Sequence, residues 1–240
     1  MAIGFAGNIV MNNKKNVFVF IGPPGSGKGS LAALCAEEFN WLQLSTGNLC
    51  RKHIFENSAL GKEVSLAIKS GALVSDSLIT AMVEQWLFDM KDDDRSVILD
   101  GYPRSVGQAK AFRDILNDKF KELRFHAILF LIPDEQLGIR LNSRLMCQNK
   151  ECQAVYSSIE GSDLASKQLM ICEKCGGSLG RRDDDQNDAI KVRLEMYHRH
   201  TQPLIDFYRS VHQPIIEIDA NRQLDEVFSE FKRKLFVKMI

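Results

Sequence analysis

Apolar and polar positions along this chain follow two alternating rhythms. Short apolar, β-rich runs occur at 17–21, 42–44, 97–99, 127–132 and 215–218, the length expected of buried strands. Between them, Leu78, Ile79, Met82, Val83, Trp86, Leu87 and Met90 recur at helical spacing, as do Leu224, Val227, Phe228, Phe231 and Leu235. This alternation predicts an α/β fold, a parallel five-stranded sheet with helices on both faces and ligands at the carboxyl ends of its strands. The aromatic and methionine stripes are read as core. Two segments break the rhythm: residues 45–74, which are polar and weakly amphipathic, and residues 145–185, which hold four cysteines and little helical pattern. Both are expected to be insertions carried on the sheet and able to move relative to it.

The first strand runs straight into Gly22-Pro23-Pro24-Gly25-Ser26-Gly27-Lys28-Gly29-Ser30, and a helical pattern with Leu31, Leu34, Cys35 and Phe39 on one face follows. Strand, glycine loop and helix is the context of a phosphate-binding loop. Glycines let backbone N–H groups crowd around phosphate oxygens, the helix start adds a positive dipole end, and Lys28 supplies a mobile charge. The spacing fits the Walker pattern except that Gly29 follows the lysine and the hydroxyl is delayed to Ser30.

Composition narrows the class. The chain has 240 residues, 45% of them hydrophobic and 26% charged, which suits one α/β core with a smaller inserted unit. Lys+Arg and Asp+Glu both number 31, so the net charge is zero, which argues against a dedicated nucleic-acid or membrane-surface binder. No apolar run approaches a membrane span. Residues 1–16 lack the basic start of a secretory signal and are expected to be a dispensable extension, with organelle targeting as the alternative. Six cysteines without a signal peptide point to thiols or a metal site in a cytoplasmic protein. The histidines His53, His126, His198, His200 and His212 are scattered and are read as solvated or packed.

The third expected strand, Val97-Ile98-Leu99, ends in Asp100, a position that on a phosphate-loop fold can hold Mg²⁺, usually through water. Gly101-Tyr102-Pro103-Arg104 follows, with Gln108 four residues beyond the arginine. Arg51, Arg104, Arg140, Arg144, Arg182 and Arg193 all fall near loop or insertion boundaries. Phosphoryl transfer gathers negative charge in one cleft and needs guanidinium forks and Mg²⁺ more than a nucleophilic side chain.

These motifs together closely resemble the adenylate kinase family: the glycine loop, Ser45-Thr46-Gly47 with Arg51, Asp100 to Arg104 with Gln108, and Arg182-Asp183-Asp184-Asp185 with Arg193. The resemblance runs from about residue 17 to the C-terminus, and the glycine after the loop lysine belongs to the same pattern. It implies a P-loop nucleoside monophosphate kinase fold with a CORE at 17–44, 75–142 and 186–240, an AMP-binding insertion at 45–74 and a LID at 143–185. It further implies reversible, Mg²⁺-dependent conversion of ATP and AMP into two ADP by a cytoplasmic monomer that binds neither nucleic acid nor membrane. Lys28 would hold the β- and γ-phosphates, with Gly25, Ser26, Gly27 and Gly29 around it, while Ser30 and Asp100 place Mg²⁺. Arg140 would stack on the ATP adenine. Thr46, Arg51, Val74, Gly101, Arg104 and Gln108 match the AMP side, Arg51 and Arg104 on its phosphate and Gln108 on its adenine edge. Arg144 from the ATP side, with Arg182 and Arg193 from the AMP side, would surround the transferring group, so Lys28, Arg104, Arg144, Arg182 and Arg193 form the catalytic set. Asp184 and Asp185 match an acidic pair that helps the LID close. Asn48 stands where an acid is common, and Ala220 where a glycine often follows Asp219. Related kinases that take UMP or CMP, or use GTP as donor, are the nearest rivals; Thr46, Gln108 and the long LID favour the adenylate reading.

The cysteines carry a separate signal. Cys147 and Cys152 form one knuckle, Cys172 and Cys175 a second, and 19 residues separate the two. Four thiolates in this pattern suit a tetrahedral Zn²⁺ with no open position, hence a structural site. The first spacing is wide, and Gln153 sits where a turn glycine is common; four free thiols on a lid held by packing are the alternative. A zinc-ribbon module binding nucleic acid is a rival reading that zero net charge and the arginine set oppose. Cys35 and Cys50 are read as buried apolar residues.

Overall fold

The apolar runs pair as strands in a computed structural model that describes residues 15–69, 74–149, 151–168, 170–182, 185 and 187–239. In chain order the elements are β1 (Asn16–Ile21), α1 (Lys28–Phe39), β2 (Leu42–Ser45), α2 (Thr46–Phe55), α3 (Ala59–Lys69), α4 (Asp76–Asp89), β3 (Val97–Asp100), α5 (Val106–Lys119) and β4 (Arg124–Leu131). They continue with α6 (Asp134–Ser143), β5 (Arg144–Cys147), β6 (Val155–Ser157), β7 (Leu179–Gly180), α7 (Asn187–Ser210), β8 (Ile215–Asp219) and α8 (Leu224–Met239). Most of the expected N-terminal extension, Gly71 to Leu73 and Asp184 lie outside the described residues.

The main sheet has five parallel strands in the order β2-β3-β1-β4-β8. Side chains alternate across a strand, so β1 splits its apolar run between two layers. Val17, Val19 and Ile21 pack with Val83 and Leu87 of α4, Phe112 of α5 and Leu204 of α7. Phe18 and Phe20 face the other way, onto Leu31 and Cys35 of α1 and Phe231 of α8. Both faces of the sheet are therefore covered, as the alternation predicts. Fully burying one such phenylalanine stabilises the fold by roughly 2 kcal/mol over leaving it exposed.

Register brings the functional strand ends level. Phe20 of β1 lies beside Asp100 of β3, and Ser45 of β2 pairs with the same Asp100. The loop after β1, the cap of α2 and the carboxylate of β3 thus emerge along one edge, where ligands of such sheets bind. β4 differs from its expected span, starting at Arg124 and ending at Leu131. Arg124 and His126 interrupt the apolar run, yet their backbones pair with Asn16 and Phe18. At the other end Ile132 leads into Pro133, the N-cap of α6.

The cysteine-bearing segment folds as a second, antiparallel sheet in the order β6-β5-β7. The sequence did not announce it, because strands of two to four residues are too short to display a period of two. Its own buried cluster is small: Cys147, Tyr156, Cys172 and Leu179.

Candidate active site

The glycine loop ends in a helix start built to meet an anion. Gly25 and Gly27 adopt positive φ of 84° and 86°. No side chain caps α1, and its first turn carries no acid, so the first N–H groups have no side-chain acceptor. The Lys28 ammonium turns back into the loop and donates to the carbonyls of Gly22 and Pro23, each at 2.7 Å, and to Ser26 Oγ at 3.2 Å. A Cβ placed on Gly29 would sit 3.3 Å from Asp100 Oδ2, which puts that carboxylate beside the loop-helix junction. The Asp100 carboxylate makes no hydrogen bond or ion pair among the described residues, and neither does the Ser30 hydroxyl. These two groups, hard oxygen donors at a phosphate loop, fit a hydrated divalent cation.

Farther along the same edge a hydrogen-bonded chain links the start of α2, the segment after β3 and α5. Thr46 Oγ1 donates to the Gly101 carbonyl at 2.9 Å, and Arg104 Nε donates to the same oxygen at 2.7 Å. The Arg104 N–H in turn donates to Gln108 Oε1 at 2.7 Å. Gly101 has φ +83°, and a Cβ there would come within 2.8 Å of the Arg104 guanidinium and 3.0 Å of Thr46 Oγ1. Only glycine supplies both the backbone turn and the room. Thr46 and Gln108 are buried while Arg104 is exposed, so the arginine is the part free to meet solvent or ligand. Val74 is half-buried just ahead of Ser75, the N-cap of α4. Arg51 of α2 donates to Asn48 Oδ1 and, at 3.3 Å, to Gln153 Oε1 in the connection between β5 and β6.

Two further arginines converge on one buried carboxylate. Arg144 donates through Nε to Asp185 Oδ2 at 2.7 Å and through Nη2 to Oδ1, while Arg193 Nη1 reaches Oδ1 at 2.7 Å. The Asp185 side chain is only 1% exposed. Burial pulls Arg144 below the usual guanidinium range, its bonds to Asp185 oppose that, and Arg182 and Arg193 add repulsion. Asp185 therefore holds the forks in place without cancelling the positive field of three arginines. Arg140 stands apart on α6, donating to the Arg222 carbonyl at 3.0 Å beside the buried Ala220.

The four lid cysteines meet. Their sulfurs all lie within 4.8 Å of one another, with Cys147 Sγ 3.4 Å from Cys175 Sγ and Cys152 Sγ 3.6 Å from Cys172 Sγ. A tetrahedron with metal–sulfur bonds of about 2.3 Å has edges of about 3.8 Å, so the donor set fits Zn²⁺. A Cβ on Gly177 would approach the Cys147 and Cys175 sulfurs to 3.2 and 3.3 Å, so the glycine leaves the space they need. Tyr156 Oη accepts the Glu173 N–H at 2.9 Å, which leaves its hydrogen for Cys172 Sγ at 3.4 Å. Such a bond stabilises a thiolate. Cys35 is fully buried as expected, whereas Cys50 is only half-buried.

A family model described as Adenylate kinase matches residues 20–213. The chain belongs to the adenylate kinase family. It is 38% identical over 209 residues to the adenylate kinase of Borrelia turicatae, covering 87% of this chain and 93% of that one. It is 37% identical over 218 residues to that of Methanothrix thermoacetophila, covering 90% and 97%. The adenylate kinase of Fervidobacterium nodosum is 38% identical over 211 residues, 87% and 92%.

Two participants at this adenylate kinase site escape a reading of the sequence. Asp76, at the start of α4, accepts from Gln108 Nε2 and belongs to no motif, while Gln153, singled out only for its place in the first cysteine knuckle, bridges to Arg51. Gln153 lies at φ +46°, a left-handed residue where a glycine is more usual, and that oddity was the one available signal.

The loop lysine yields a measurable consequence. Burial pulls the Lys28 ammonium down to about 8, Arg104, Arg144 and Arg193 push the same way, and Asp100 only partly opposes them. Below pH 8 the group is charged; above it the free protein has lost the proton. Phosphate oxygens favour the charged form, so nucleotide binding at pH 8 is expected to take up about half a proton, and affinity to fall as pH rises further. Calorimetry in buffers of different ionisation enthalpy reads this uptake. It should vanish in Lys28→Met, and equal uptake in that variant would assign the proton elsewhere.

Proposed function

We propose that this chain catalyses reversible, Mg²⁺-dependent transfer of the terminal phosphoryl group of ATP to AMP, giving two ADP. One observation carries the reading. The carboxyl edge of the sheet carries both the capless glycine loop with Lys28 and the Thr46–Gly101–Arg104–Gln108 chain. Two polyanions brought together require such a two-sided site, with cations between them.

In this reading Gly25, Ser26, Gly27, Gly29 and Lys28 bind the ATP phosphates, and the lysine exchanges its loop carbonyls for β- and γ-oxygens. Ser30 and Asp100 hold Mg²⁺, which when bound neutralises charge on those oxygens. Arg140 packs on the ATP base. Thr46, Val74 and Gln108 seat the AMP base, while Arg51 and Arg104 bind its phosphate. An AMP phosphate oxygen attacks the γ-phosphorus as its bond to the β-bridging oxygen breaks, so the electron pair leaves on ADP and no covalent enzyme intermediate forms. Arg144, Arg182 and Arg193 meet the charge spread over the transferring group.

The segments 45–74 and 143–185 are proposed as the AMP-binding insertion and LID around a CORE. Their closure excludes water and with it wasteful hydrolysis. One structural Zn²⁺ on the four lid cysteines is proposed to stabilise the LID. Both nucleotide sites come from one chain, which suits a monomer. All six cysteines are unpaired thiols, which suits the reducing cytoplasm. No helix among the described residues is long and apolar enough to cross a membrane.

The test is turnover with ATP and each of AMP, UMP, CMP and GMP. A site that hydrogen-bonds a base edge rejects analogues that leave its polar groups unpaired. AMP is expected to exceed UMP and CMP by at least roughly a hundredfold in kcat/KM. Comparable use of UMP would overturn the acceptor assignment.

A further inference from the structure

We infer that Asp76 is a positioning residue that locks the side-chain amide of Gln108 in one orientation and thereby lets the site tell a 6-aminopurine monophosphate from a 6-oxopurine one. The inference rests on the proposed contact of Gln108 with the acceptor base.

An amide side chain can turn over, exchanging its oxygen and nitrogen at almost no cost in shape. Gln108 is denied that freedom from both ends. Its Oε1 accepts the backbone N–H of Arg104 at 2.7 Å, and its Nε2 donates to Asp76 Oδ1 at 2.8 Å. A backbone N–H cannot accept and a carboxylate cannot donate, so the reversed amide would face donor with donor and acceptor with acceptor. The side chain is also buried, where such a mismatch finds no water to relieve it.

Asp76 is itself held. Its Oδ2 accepts the Ser105 hydroxyl at 2.5 Å, and Ser105 Oγ accepts the Gln108 backbone N–H at 3.1 Å. Ser105 is the N-cap of α5 and Asp76 the first residue of α4, so the carboxylate joins two helix starts around the glutamine. At the start of a helix its negative charge is also favoured by the dipole.

With both ends committed, Gln108 keeps one N–H and one carbonyl lone pair that bond to nothing among the described residues. They stand in a fixed order. The edge of a 6-aminopurine carries a ring acceptor beside an amino donor; a 6-oxopurine carries a ring donor beside a carbonyl acceptor. A locked amide complements the first and opposes the second. A free amide would turn over and serve either.

The experiment compares AMP with IMP as acceptors in the wild type, Asp76→Asn and Gln108→Met, with thermal melting and ATP KM as controls on folding. Asp76→Asn keeps the shape but replaces the acceptor-only partner with an amide that can also donate, so only the Arg104 N–H still opposes a turned Gln108. Its AMP:IMP ratio of kcat/KM is expected to fall by about tenfold or more, mainly through AMP KM, while ATP KM stays near wild type. A purely structural role would weaken both acceptors alike and leave the ratio unmoved. If Gln108→Met collapses the ratio and Asp76→Asn does not, the role of Asp76 is wrong while the base contact stands. If neither variant moves the ratio, Gln108 does not read the base and the inference goes with it.

Discussion

Replacing Arg144 by alanine is expected to lower kcat by roughly 10³-fold, the scale of losing a cation that meets a transferring phosphoryl group. The chain should remain folded, because Arg193 still pairs with Asp185 and the strand carrying residue 144 keeps its backbone ladder. Two effects are superposed in this variant and can be separated. One is the missing charge at the phosphoryl group. The other is the loss of a two-pronged partner from a carboxylate that is almost fully buried, and an uncompensated buried charge is costly. Arg144→Lys distinguishes them: it restores the charge without the fork, so melting should recover further than turnover does. Near-normal kcat in Arg144→Ala would show that the residue does not touch the reaction.

Substituting Cys172 by serine should act in the opposite sense, on stability and hardly on chemistry. Wild type purified without chelator is expected to carry one zinc ion per chain, and the variant close to none. The lid's buried cluster has four members and two of them are thiols, so little apolar surface is available once the metal is gone. Metal affinity at such sites is folding free energy, and a clear fall in thermal midpoint is expected, with chelation of wild type reproducing it. At low temperature most of the turnover should persist, since four protein ligands leave no position at which the metal could activate water. Wild type without bound metal, together with melting indifferent to chelator, removes the zinc reading. Turnover lost far beyond folded protein would assign the metal a part in the reaction.

Much of this molecule was decided locally, by the sequence itself. Five strands, the phosphate loop and the two cysteine knuckles are legible because each depends on residues adjacent in the chain: apolar runs that bury two faces, glycines that permit positive φ, thiols a few residues apart. Even the order of parts at the site follows from such segments. The boundaries of β4 and the small lid sheet were not legible, since backbone pairing to a neighbour extends through polar residues and closes strands too short for any periodicity. The pairings that organise the site are more distant still. Asp76 fixes an amide 32 positions later, Asp185 is shared by Arg144 and Arg193, and Arg51 meets Gln153 across 102 positions. Sequence spacing sets which side chains share a strand or a helix face. Which of them meet across elements is set by how helices and sheets pack, and that geometry exists only once the chain has folded.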